Sequence, residues 1–164
     1  MFGSLKKLFG GEEKAAKGIV APVSGKAVPM SQVSDPTFSQ EILGKGTAII
    51  PSEGRIVAPA DGVVTMVFDT LHALSVQTDI GAELIIHIGL DTVQLKGQFF
   101  EAHVNAGDKV KQGDLLLNFD MEKIKEAGYD VITPVIVCNT PSFPNIECLS
   151  GMDVTAGETT IIKL

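Results

Sequence analysis

The 164-residue chain has no tryptophan, one tyrosine and only three histidines. Cysteine is equally scarce. Cys138 and Cys148 are the only two, and they do not form a C-x-x-C pair. They read as reduced, partly buried core residues of a cytoplasmic protein rather than a disulfide. Positive charge is short as well: 13 Lys and Arg stand against 20 Asp and Glu, for a net charge of −7. No Lys/Arg-rich face or aromatic-interleaved basic patch appears, which removes nucleic acid as a partner. No apolar run approaches the roughly 18 residues of a membrane-spanning helix, and the start lacks the continuous apolar core of a signal peptide. Apolar residues are plentiful, at 45% of the chain, together with 17 glycines and 8 prolines. That composition suits one turn-rich domain with a full core.

Residues 1–17 differ from the rest. Phe2, Leu5, Leu8 and Phe9 recur at helical spacing around Lys6 and Lys7, and four lysines against two glutamates leave this stretch positive. It reads as an amphipathic anchor for a membrane surface or a flexible tail, too short before Gly10 and Gly11 to be a stable isolated helix. From residue 18 to 164, short Val/Ile/Leu runs are broken by turn residues every eight to twelve positions. This is the pattern of an all-β protein: an antiparallel sandwich or barrel with Greek-key or jelly-roll-like connections. One or two very short helices are expected: a possible turn within 35–44 and one over 120–128, capped by Asp120 and ended by Gly128. Val20-Ala-Pro22 echoes Val57-Ala-Pro59, and Val104-Asn-Ala-Gly107 echoes Val154-Thr-Ala-Gly157, as repeated turn-and-strand units.

The most informative local feature is a pair of histidines flanking a single turn. His72 to Thr78 and Glu83 to Gly89 are rich in Val, Ile and Leu, and Asp79-Ile80-Gly81-Ala82 separates them, so the segment predicts a β-hairpin. A loop of two residues or of four sets His87 opposite Leu74 and places His72 on the same face. The two would then be diagonal neighbours roughly 7–8 Å apart. A three-residue loop would put them on opposite faces.

Two facing imidazoles suit three chemistries. One ring can be a nucleophile for a phosphoryl group while the other donates a hydrogen bond. Both can ligate zinc, or one can act as a general base. The plain alternative is two buried histidines with satisfied ring nitrogens. The neighbours favour a nucleophile. Thr70 lies two residues before His72 on the same strand face, where its hydroxyl can fix the tautomer of His72, and Leu84, Ile85, Ile86 and Ile88 give His87 apolar walls that keep its nitrogen neutral and exclude water. A catalytic zinc wants a third ligand, and nothing directs His103 to the pair.

Asp35-Pro-Thr-Phe38, Ala48-Ile-Ile-Pro51-Ser-Glu-Gly54, Val57-Ala-Pro59-Ala-Asp61-Gly62, Thr70-Leu-His72 and His87-Ile-Gly89-Leu-Asp91-Thr92-Val93 form a set of motifs spread along the chain. Together they resemble the glucose-type enzyme IIA of the bacterial sugar phosphotransferase system. The resemblance covers about residue 18 to the C-terminus. It implies that His87 accepts a phosphoryl group on Nε2 from the histidine phosphocarrier protein, that His72 stabilises it, and that Thr70 orients His72. It further implies onward transfer to the IIB domain of a sugar permease, with regulated transporters or enzymes as additional partners. Asp35 and Asp91 match acidic positions beside the family's site, and Phe38, Ile42, Leu43, Phe68 and Val93 match its docking rim. No cofactor is required, although some family members bind a metal through the two histidines at a partner interface. Lys45 and Leu71 depart from the family's usual residues.

Three rivals remain to be weighed. A biotinyl- or lipoyl-type carrier would need a modified lysine at a hairpin tip, and Lys96 lacks the usual flanking residues. A zinc peptidase needs a His-x-His pair that this chain does not have. A purely regulatory protein with a dead site does not explain the presence of His72, His87 and Thr70 together.

Overall fold

A computed structural model describes residues 18–164 of the chain. Fourteen strands and two short α-helices are found there. In chain order the strands are β1 (Gly18–Val20), β2 (Gly25–Pro29), β3 (Lys45–Pro51), β4 (Arg55–Val57), β5 (Gly62–Val67), β6 (Ala73–Thr78) and β7 (Glu83–His87). They continue with β8 (Phe100–Ala102), β9 (Lys109–Val110), β10 (Leu115–Phe119), β11 (Thr133–Val137), β12 (Glu147–Cys148), β13 (Asp153–Val154) and β14 (Thr160–Lys163). The expected antiparallel all-β architecture is what forms. An eight-stranded sheet runs β13-β2-β3-β11-β7-β6-β5-β9, and two three-stranded sheets run β1-β14-β12 and β4-β10-β8. The amphipathic reading of residues 1–17 lies outside the described residues.

Both helices fall where the sequence places them. In α1 (Pro36–Ser39), Asp35 accepts a hydrogen bond from the Thr37 amide and proline occupies the first turn. In α2 (Met121–Glu126), Asp120 accepts from the Lys123 amide, and Gly128 follows at φ 95°.

Alternation along the central strands sorts side chains into two apolar clusters. In β7, Leu84 and Ile86 are 1% and 0% exposed and join the main core with Leu74, Val76, Leu116 and Ile161. Strand β11 is buried along its whole length, which takes cover on both faces. Val135 and Val137 enter the main core, whereas Ile136 points the other way into a smaller cluster with Val28, Met30, Val33, Phe38, Ala48, Leu90 and Ile132. Ile136 pairs with Ile85, so the face of β7 that carries Ile85 and His87 is the face under this smaller cluster. Cys138 packs against the smaller cluster and Cys148 against the larger, both as free thiols.

The register of the β6–β7 hairpin corrects the sequence-based expectation. His87 pairs with Ala73 and Leu74 with Ile86, one step from the expected pairing of His87 with Leu74. The loop is Asp79-Ile80-Gly81, closed by Thr78 and Ala82, with Gly81 at φ 97°. The buried Thr78 hydroxyl shapes this loop. It donates to the Ala82 carbonyl and accepts from the Ala82 amide at 3.0 and 2.9 Å. Two-residue and four-residue loops lack that Thr–Ala bracket, and nothing in the alternation alone reveals it.

The two faces of β7 predict different sensitivities. Ile86→Ala should cost about 2–5 kcal/mol, the usual range for truncating a fully buried aliphatic residue. Ile85→Ala, at a half-buried position, should cost well under half as much. Urea denaturation of both variants measures this, and equal losses would refute the assignment of faces.

Candidate active site

His72 and His87 meet at one end of the β6–β7 hairpin, although the register alone would separate them. Their ring centroids lie 4.9 Å apart with the planes at 82°. The reason is local. His72 precedes β6 and follows Leu71, whose φ of 61° is left-handed. Alternation of faces holds only within a regular ladder, and Leu71 breaks it at the residue before His72. Thr70 lies in this turn and not, as expected, on a strand. The turn is tied by the Leu71 amide donating to the Phe68 carbonyl at 2.7 Å and the Phe68 amide to the Ala73 carbonyl at 3.1 Å. The Leu71 side chain packs on the main core. A non-glycine residue in this conformation costs of order 1 kcal/mol, which the core contact and turn hydrogen bonds offset.

Each histidine has one nitrogen already occupied. His87 Nδ1 lies 2.8 Å from the Gly89 carbonyl oxygen. A carbonyl only accepts, so Nδ1 carries the proton and Nε2 carries the lone pair. His72 Nδ1 lies 2.6 Å from the Thr70 hydroxyl. When that hydroxyl donates, the neutral His72 ring holds its proton on Nε2. One ring thus offers a nucleophilic nitrogen and the other an N–H donor.

Phenylalanines flank the pair. The Phe38 ring lies 4.9 Å from His87, and the Phe68 ring 5.4 Å from His72 in an edge-on arrangement. His72 is buried, at 6% exposed, while His87 is half-buried and keeps part of its ring at the surface. Burial, reinforced by the neighbouring His87, pulls the His72 pKa from its ordinary 6.5 to about 4. Burial also lowers His87, against a partial upward pull from the Gly89 hydrogen bond and the carboxylates of Asp35 and Asp91. Both rings are therefore neutral near pH 7.

The remaining sequence-predicted residues fall into two groups. Ile42, Leu43 and Val93 are exposed, at 67%, 38% and 46%, and Phe68 is half-buried, so these apolar side chains are open to a partner. Phe38 departs from its expected place on the rim. It is only 5% exposed and forms a floor under His87, because α1 turns it into the smaller apolar cluster. Asp35 spends one oxygen capping α1, while Asp91 stands exposed at φ 60° with its side chain uninvolved in capping. His103 sits elsewhere and bonds Asn118 through Nε2 at 2.7 Å. Sequence reasoning missed Gly89. At φ 79° it occupies a backbone region that disfavours other residues, and an added Cβ would sit 2.7 Å from the Asp130 carbonyl and 2.6 Å from the Thr92 methyl. The signal was present in the His-x-Gly spacing, which puts a flexible carbonyl within reach of the ring.

Among the described residues, no group of three or more His, Cys, Asp or Glu side chains could hold a metal. No helix there is long and apolar enough to cross a membrane.

Comparison with known proteins gives a consistent picture. The family model described as phosphoenolpyruvate-dependent sugar phosphotransferase system, EIIA 1, matches residues 17–143. A glucose-specific EIIA component from Oceanobacillus iheyensis is 44% identical over 161 residues, covering 97% of this chain and 98% of that protein. A beta-glucoside-specific EIIBCA component from Bacillus subtilis is 54% identical over 125 residues, 76% of this chain but 20% of that longer protein. The solved glucose permease IIA of Mycoplasma capricolum superposes with a TM-score of 0.82 at 32% identity, covering 90% of this chain and 95% of that one.

Both low pKa values give the site a pH signature. The folded state prefers neutral imidazoles, so the stabilisation is complete above the unfolded value of 6.5 and is lost as pH falls towards about 4. For His72 the loss should total about 3 kcal/mol. Denaturation midpoints measured from pH 7 to 4 should fall less steeply in His72→Gln. In NMR titrations neither active-site ring should titrate at 6.5 or above.

Proposed function

This chain belongs to the EIIA 1 family of the phosphoenolpyruvate-dependent sugar phosphotransferase system, and we propose that the atom carrying its phosphoryl group is Nε2 of His87. It is a phosphoryl-transfer component that relays its group as a phosphohistidine. The observation supporting His87 over His72 is the hydrogen bond from His87 Nδ1 to the Gly89 carbonyl at 2.8 Å, which leaves Nε2 unprotonated on the half-buried ring.

Transfer begins with the histidine phosphocarrier protein as donor. The Nε2 lone pair of His87 attacks phosphorus, the donor's P–N bond breaks, and its electron pair returns to the donor imidazole. No redox step or added cofactor is needed. Charge spreads over three equatorial oxygens during transfer, so the protein's task is positioning and electrostatic stabilisation. His72 supplies this through its ring N–H. Once a phosphoryl group is beside it, the negative charge favours the protonated ring, and the hydrogen bond becomes charge-assisted, worth about 1.5–3 kcal/mol. Thr70 keeps the His72 ring oriented throughout.

Asp35 and Asp91 favour a basic partner surface, while Ile42, Leu43, Phe68 and Val93 provide the apolar contact. The acceptor is a IIB domain, as expected from relatives in which the matching region is part of an EIIBCA protein. The named sugars of the relatives are glucose and beta-glucoside, so the partner permease lies in that range. His72 and His87 provide two nitrogens for zinc, but a full ligand set would have to include side chains from a docked protein. Zinc plays no part in the transfer steps above.

Incubation with phosphorylated phosphocarrier protein should add one acid-labile phosphoryl group, mapped to His87 and absent from His87→Ala. His72→Gln should still accept the group yet deliver it to a IIB domain at least about tenfold more slowly. Wild-type delivery by that variant would remove His72 from the mechanism.

A further inference from the structure

Among the described residues, the Thr92 hydroxyl is a fully buried polar side chain beside the histidine pair that the transfer scheme leaves without a task. Thr92 is 0% exposed, and its Oγ1 donates to the carbonyl of Ile88. Ile88 joins the two halves of the site. Its amide donates to the His72 carbonyl at 2.7 Å, and the next residue, Gly89, presents the carbonyl that accepts from His87 Nδ1. The Thr92 methyl also covers the Gly89 α-carbon, since a side chain added there would lie 2.6 Å from it. From the other side, the Gly89 amide donates to the Ile132 carbonyl and the Leu90 amide to the Asp130 carbonyl, both at 3.0 Å. The Ile88–Gly89 peptide is therefore held between Thr92 and Ile132, and the Gly89–Leu90 peptide that follows is held by Asp130.

We infer that Thr92 is a positioning residue for phosphoryl transfer. By holding the Ile88 carbonyl, it fixes the Ile88–Gly89 peptide and so the position of the Gly89 α-carbon, from which the Gly89–Leu90 peptide, held by Asp130, aims its carbonyl at His87 Nδ1 and sets the reactive tautomer. Thr92 touches no reacting atom and acts only through these two peptides. The inference rests on His87 being the phosphoryl acceptor.

Thr92→Val keeps the shape and deletes the donor, and Thr92→Ser keeps the donor and deletes the methyl. Nitrogen-15 NMR of the unphosphorylated protein reads the His87 tautomer directly, and phosphorus-31 NMR after phosphorylation tells Nε2 from Nδ1 adducts. Wild type and Thr92→Ser should show His87 protonated on Nδ1 and phosphorylation on Nε2. Thr92→Val, folded by circular dichroism, should show mixed tautomers and a roughly tenfold slower phosphorylation, the size expected from one lost buried hydrogen bond. A folded Thr92→Val with wild-type tautomer and rate overturns the inference. So does a Thr92→Ser that loses the tautomer, a test that stands alone if Thr92→Val does not fold. If wild type is phosphorylated somewhere other than His87, the acceptor assignment fails, while the tautomer measurement still judges Thr92.

Discussion

A single carbonyl oxygen decides which nitrogen of His87 can react. Imidazole in water exchanges freely between two tautomers, and a nucleophile that is protonated at the wrong nitrogen is idle. The 2.8 Å hydrogen bond to the Gly89 carbonyl removes that choice. Much of the local structure serves this one contact. Gly89 must be glycine, because its left-handed φ and the nearby Asp130 carbonyl leave no room for a side chain. Leu90 docks into the smaller apolar cluster, which anchors the chain just beyond that carbonyl. Phe38, 49 residues earlier in the sequence, rises through the same cluster to meet the His87 ring.

Burial then does electrostatic work. Two imidazoles 4.9 Å apart cannot readily hold a proton on either ring when both are partly withdrawn from water. The resting pair stays neutral, the state the proposed nucleophile needs. In the proposed transfer, arrival of a phosphoryl group reverses the preference at His72, since an anion beside it favours the imidazolium. On that proposal, one side chain is a neutral neighbour before transfer and a charged hydrogen-bond donor after it. Asp35 and Asp91 act in the opposite sense. They pull the His87 pKa upward, partly offsetting the effect of burial.

The sequence displayed more of this site than of the backbone beneath it. The antiparallel fold, both short helices with the Asp120 cap of the second, and the closeness of His72 to His87 were legible from turn spacing, capping residues and motif. The route by which the histidines meet was not. Alternation predicted a shared face through a two- or four-residue loop, but Thr78 and Ala82 close a three-residue loop instead. Left-handed Leu71 then restores the proximity that this register would have removed. Neither feature has a sequence signal. A threonine at a loop edge is ordinary, and leucine is among the residues least expected at positive φ. Phe38 was misplaced for a similar reason. A four-residue helix can aim a side chain inward or outward, and only the smaller apolar cluster on the second face of the sheet decides it.

That second cluster also bears on how one small site could serve the proposed donor and an acceptor in turn. A relay component must bind its donor, release it, and then present the same atom to an acceptor. A large apolar surface would slow release, because most differences in affinity between related complexes appear in the dissociation rate. Here the most apolar neighbour of His87, Phe38, is withdrawn into the fold and exposes almost nothing. What remains outside is a sparse rim of Ile42, Leu43 and Val93 with acidic Asp91 among it. Such a rim fits the smaller interfaces of transient complexes, in which charge guides the encounter and little apolar area holds it. Rigidity is concentrated on the reacting nitrogen and contact on a thin border around it. A group can then be received and given away through the same opening.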